Sequence, residues 1–168
     1  MGNRGIMGFY LSGSYSAKLD EKNRMVLSQE LRYGLVENGE LEFVIALGSH
    51  GCLTIYKKSE MDRIVEKFRA KQHIAKYRKF FTLFFATLHI TGCDKVGRFM
   101  IPQHLKDAAK IKSEVVLVGV IDRVEIWSKE AHQNEMAALL QPKGDPIDMA
   151  SIMEEIFNDE TQDEEILV

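Results

Sequence analysis

The chain has 168 residues, 45% of them hydrophobic, enough to bury one ordinary core or two small intertwined halves and too apolar for a disordered polymer. No apolar run approaches the roughly 18 residues of a membrane helix and residues 1–10 lack a signal-peptide core, so a cytoplasmic protein with no membrane partner is expected. The net charge of −3 hides an asymmetry: residues 145–168 carry nine acids and no Lys or Arg, which leaves residues 1–144 at +6, a body suited to a polyanion.

Apolar residues over 15–19 and 25–27 predict two strands around Asp20-Glu21-Lys22-Asn23-Arg24, a hairpin whose turn needs a residue tolerant of positive φ, which Asn23 supplies. Ser28 stands as an N-cap for a short helix over 29–36. The continuous apolar run 43–47, ended by Gly48, reads as a strand buried on both faces, and 52–56 reads as its neighbour, closed by Tyr56. Ser59-Glu60-Met61-Asp62 has the pattern of a capping box. Behind it Met61, Ile64, Val65 and Phe68 fall at i, i+3, i+4 and i+7, and Ile74, Tyr77, Phe81, Phe84, Phe85 and Leu88 continue the stripe as a helical arm over 58–88. Lys67, Arg69, Lys71, Lys76, Arg78 and Lys79 run along its other side, as a solvated face or as phosphate contacts.

The pattern then repeats. Strands over 89–93 and 99–101 flank Asp94-Lys95-Val96-Gly97-Arg98, with Gly97 at the place of Asn23, and Pro102 opens a helix over 103–110. Strands over 115–118 and 123–127 follow, ended by Gly119 and Trp127, and Ser128 caps a last helix. At an offset of 74, residues 26–32 lie over 100–106; at an offset of 71, 43–48 lie over 114–119 and 53–56 over 124–127. The chain is read as a duplicated module: a first half over 8–57, the arm over 58–88, a second half over 89–140 and an acidic tail over 141–168.

Two DxxxR turns at matched places, each followed by apolar residues, a Ser or Pro helix start and Leu31-Arg32 or Leu105-Lys106, resemble the MraZ family of bacterial transcriptional regulators over residues 8–140. The resemblance implies an α+β fold of two swapped-hairpin, AbrB-like halves forming a pseudo-twofold β-barrel with flanking helices. It also implies a nucleoid-associated homo-oligomer, a ring of eight or twelve, that binds short direct repeats of double-stranded DNA in the promoter of the division and cell-wall gene cluster, most simply as a repressor. The commonest family turn reads Asp-x-Lys-Gly-Arg; here the first copy has Asn23 for the glycine and the second has Val96 for the lysine, so the two tips are not equivalent. Met7 is an alternative start to Met1.

Arg24 and Arg98 are the expected DNA contacts, because a planar guanidinium offers two parallel donors to a guanine edge or a phosphate. Lys22 is a further phosphate candidate, with Lys95 and Lys18 behind it. Asp20 and Asp94 would be repelled by phosphate and are expected to shape the turn with Asn23 and Gly97, by accepting backbone N–H groups or by orienting the arginine four residues on. His50 with Cys52 and His89 with Cys93 match no common metal-site spacing, and no nucleophile elbow, P-loop or zincin motif appears, so neither metal, cofactor nor catalysis is expected. A non-catalytic interaction module, using the apolar helices and the acidic tail, is the competing reading.

Overall fold

A computed structural model of the chain describes residues 10–141, 143 and 146–159. The alternative start Met7 and the tail acids Asp145, Glu160, Asp163, Glu164 and Glu165 lie outside the described residues. The chain divides into two compact units between His132 and Gln133.

In the first unit β1 (Ser14–Lys18) enters the Asp20 turn, β2 (Arg24–Val26) leaves it, and α1 (Gln29–Leu35) follows, capped by Ser28 Oγ accepting from Leu31 N at 3.4 Å. Then come β3 (Glu42–Leu47), β4 (Leu53–Lys57), α2 (Lys58–Ala70) and α3 (Arg78–Ala86). The second half repeats the series as β5 (His89–Gly92), β6 (Arg98–Met100), α4 (Gln103–Ala108), β7 (Glu114–Val120) and β8 (Arg123–Ser128). Ser128 Oγ accepts from Ala131 N at 3.1 Å to cap α5 (Lys129–Leu140), within which the units divide. The described part of the second unit ends with α6 (Met149–Asn158), capped by Asp148.

The strands of each DxxxR turn do not pair with each other, contrary to the expected local hairpins. They cross to the opposite half: β1 runs antiparallel to β7, β5 antiparallel to β3, and β2 antiparallel to β6. The six-stranded sheet has the order β1-β7-β8-β4-β3-β5, which reads the same when the halves are exchanged and the order reversed. The exchange swaps the halves of this α+β fold: β1, β2, β5 and β6 each take their strand partner from the other half.

The register corrects one part of the repeat. Ala17 faces Val115 and its counterpart Thr91 faces Phe43, so β3 and β7 match at an offset of 72, not 71. The difference lies in the connection: five residues separate the paired Leu47 and Leu53, but four separate the paired Gly119 and Val124. A one-residue slip would turn Phe43 and Ile45, both fully buried, away from the core they share with Val115 and Leu117.

The six-stranded sheet and the β2–β6 pair wrap one core, in which Phe43 of the sheet meets Phe99 of the pair edge to face at a centroid distance of 5.4 Å. The opposite face of β3, Val44 and Ala46, packs on Met61 and Phe84 of the arm, so that strand is buried on both faces. The arm is not one helix. α2 ends at Ala70, a 3-10 turn forms at Ala75–Tyr77, and α3 folds back so that Phe68 meets the rings of Phe80, Phe81, Phe84 and Phe85 at 5.2–6.1 Å. Ser59 does not cap α2, which begins one residue earlier, at Lys58; its N–H and hydroxyl both donate to Glu37, and those bonds hold the Glu37 carboxyl below its ordinary range although burial acts against them. Pro102 likewise sits at the cap position of α4, just before its first turn.

Candidate nucleic-acid interface

Each DxxxR turn is built by its aspartate. Asp20 Oδ1 accepts from Lys22 N and Arg24 N at 2.9 Å each, and Oδ2 accepts from Arg24 Nε at 2.8 Å. Asp94 repeats the set with Val96 N, Arg98 N and Arg98 Nε, all at 2.9 Å. The main-chain closure is duplicated too: Asp20 N and Asp94 N donate to Arg24 O and Arg98 O, and Asn23 N and Gly97 N donate to Asp20 O and Asp94 O. The backbone N–H of the arginine is the largest cause holding each carboxyl below the usual aspartate range, joined by the other backbone donor and the guanidinium.

Because Asp20 and Asp94 take only Nε, the terminal nitrogens of Arg24 and Arg98 have no hydrogen-bond partner among the described residues. The β2–β6 ribbon then decides where they point. Arg24 faces Met100, Met25 faces Phe99 and Val26 faces Arg98 across the ladder. Side chains alternate between faces, so buried Met25 and Phe99 point into the core while Arg24, Val26, Arg98 and Met100 share the outer face. The two turns lie at opposite ends of this one ribbon.

Each turn also rests on the other half. Asn23 O accepts from Ile101 N and Gly97 O from Leu27 N, both at 2.9 Å. Asn23, at φ 59°, bonds Gln103 Oε1 through its amide at 3.2 Å and accepts from Lys106 Nζ at 3.1 Å. Gly97, at φ 90°, has no side chain, and the guanidinium of Arg32 occupies that place: a Cβ there would lie 2.7 Å from Arg32 Cζ. Arg32 Nε is buried without a hydrogen-bond partner among the described residues. Arg32 and Lys106, matched at the offset of 74, thus support the turn of the opposite half, a role that sequence reasoning missed although their pairing was its visible signal.

Of the remaining expected residues, Lys22 and Lys95 are exposed in the two turns, whereas Lys18 stands on β1 opposite Glu114 in the six-stranded sheet and is not on the ribbon face. Val26 and Met100 were not singled out by sequence, and both stand exposed beside the arginines. Cys52 and Cys93 are unpaired thiols that burial pushes up to about 11, so neither supplies a thiolate at neutral pH. No helix of the described residues is long and apolar enough to cross a membrane.

Comparison with known proteins also finds a duplicated sequence. The model of the MraZ protein family matches residues 10–82 and again residues 84–141. A protein of Caldanaerobacter subterraneus named transcriptional regulator MraZ is 38% identical over 121 residues, 71% of this chain and 82% of the relative. Relatives of the same name from Clostridium botulinum strain Eklund 17B and Heliobacterium modesticaldum are 41% and 38% identical, over 70% and 75% of this chain and 81% and 87% of their own lengths. Two matches of the family model that divide near residue 83, one DxxxR turn in each, place the chain in the MraZ family.

Proposed function

We propose that the chain is a sequence-specific, DNA-binding transcriptional regulator, without catalytic activity or cofactor, that represses the promoter of the division and cell-wall gene cluster by binding short direct repeats. The observation that carries this reading is the outward presentation of Arg24 and Arg98 on one ribbon, each tied through Nε to its own aspartate and with both terminal nitrogens free of hydrogen bonds among the described residues. A bidentate arginine–guanine contact discriminates by about 1–3 kcal/mol, too little for two arginines to specify a promoter. A ring of eight or twelve copies reading successive repeats supplies the missing specificity through effective concentration. The names of the relatives agree with a transcriptional regulator; action in the cytoplasm at the nucleoid is part of the proposed reading.

The test is a gel shift of the fragment upstream of the chain's own gene, with its short repeats intact or scrambled, across a range of salt. Retention of the intact fragment alone, weakening linearly with log salt as phosphate contacts are lost, is the expected result. Equal retention of both fragments refutes sequence-specific binding. One observation favours a second reading, an interaction module: Phe80, Leu83 and Phe85 of α3 are 41–57% exposed in a contiguous helix, a surface suited to a protein contact. Substituting Leu83→Asp without loss of DNA binding or of oligomeric state, but with loss of a protein partner, would establish it.

A further inference from the structure

We propose that Val26 and Met100 read thymine methyl groups, so that the whole outer face of the β2–β6 ribbon reads sequence, and not the arginines alone. The inference rests on the DNA-binding reading above and adds two residues of opposite chemistry to it. Val26 is 50% exposed and Met100 45% exposed, on strands whose inward residues are essentially fully buried. Each is the direct cross-strand partner of an arginine, Met100 of Arg24 and Val26 of Arg98. Directly opposed residues hold their Cβ atoms about 4.5–5.5 Å apart, so each guanidinium has an apolar neighbour within reach of one base pair.

The four side chains form a compact set. Arg24 and Arg98 are two residues apart along the ladder and one strand apart across it, which separates their Cα atoms by about 8 Å. B-DNA advances about 3.4 Å per base along a strand, so the patch spans two to three base pairs. A two-stranded ribbon is an element that the major groove admits, and in that groove the thymine C5-methyl is the apolar feature presented by a base edge. A face with guanidinium groups at its diagonal corners and apolar groups at the other two therefore matches a step that carries both guanine and thymine. Water-exposed Val26 and Met100 have apolar surface to bury there, and the flanking arginines supply the attraction to a polyanion that a protein partner of ordinary charge would lack.

The experiment uses the full chain. A randomised duplex library is selected for retention by the protein, and in the winning duplex each thymine is replaced singly by deoxyuridine, which removes only the methyl. Binding is measured by fluorescence anisotropy at one salt concentration. At one or more thymines the replacement is expected to weaken binding about fourfold, the value of one buried methyl group. In Val26→Ala plus Met100→Ala that penalty is expected to disappear while the salt dependence stays unchanged; both positions are exposed, and an unchanged urea midpoint confirms that the variant folds. A penalty absent at every thymine, or equal in wild type and variant, overturns the proposal, and an altered oligomeric state of the variant with an undiminished penalty assigns the face to a self-contact instead. If selection enriches no sequence, or Arg24→Ala plus Arg98→Ala binds as wild type does, the failure belongs to the DNA-binding reading and this inference falls with it.

Discussion

Gly97→Ala isolates what the second turn demands of the backbone. The native φ of 90° lies in the left-handed region, where an L-residue costs about 1–2 kcal/mol. The added methyl would also lie 2.7 Å from Arg32 Cζ, but the obstacle is the far end of a flexible side chain whose Nε has no hydrogen bond to lose among the described residues. Backbone strain therefore dominates, and the lower entropy of the unfolded alanine chain offsets about 0.4–1 kcal/mol of it. A net loss of about 1 kcal/mol is expected by urea denaturation, with unchanged m-value. The same substitution in an Arg32→Ala background should cost nearly as much. If Gly97→Ala is as stable as wild type, or if its cost vanishes when Arg32 is removed, the turn is not conformationally restricted and the argument fails.

Phe99→Ala, by emptying the contact with Phe43 between ribbon and sheet, should cost about 3–5 kcal/mol in the same assay, and a loss under 1 kcal/mol would show that the ribbon does not share the core. Ile121 sits at φ 60° between β7 and β8, where Asp122 N donates to Val120 O in a tight turn strained for a β-branched residue; Ile121→Gly should therefore raise stability by about 1 kcal/mol, and a fall would mean the strain is not there. Asp20 and Asp94 have carboxyls lowered in the folded protein, so the stability they contribute is fully present above the ordinary carboxylate value and is lost as pH falls through their lowered folded values. Carboxyl-detected NMR titration should place both midpoints below 3.8, and a midpoint at or above it would contradict the turn geometry.

The local chemistry of the turns was legible because it is carried by residues of restricted type: a carboxylate that caps N–H groups, then Asn or Gly at positive φ, then arginine. Most strands and short helices were legible by the same local signals. Pairing was not. Residues 15–19 and 25–27 look alike whether they bond to each other or to 114–118 and 98–100, because a strand's apolar alternation records which face is buried and not which neighbour lies beside it. The offset of β3 and β7 was lost for a related reason, since 43–47 and 115–118 are continuous apolar runs with no polar residue to mark the register. The break in the arm left no glycine or proline between Ala70 and Arg78; it follows from Phe68 gathering four rings of α3, a tertiary effect that periodicity cannot report. Ser59 fitted a capping box, but Glu37, distant in sequence, took its hydroxyl. At the ribbon, Val26 and Met100 were read only as apolar strand residues, because alternation within three residues is too short to reveal its own phase.

The two arginines are the point on which the functional reading turns. Affinity of Arg24→Ala plus Arg98→Ala for the intact promoter fragment and for its scrambled copy, measured across salt, tests it directly. Removal of two bidentate base contacts predicts a loss of roughly tenfold or more per arginine on the intact fragment, with binding to the scrambled copy changed far less. Equal affinity of wild type and double variant for the intact fragment would contradict it.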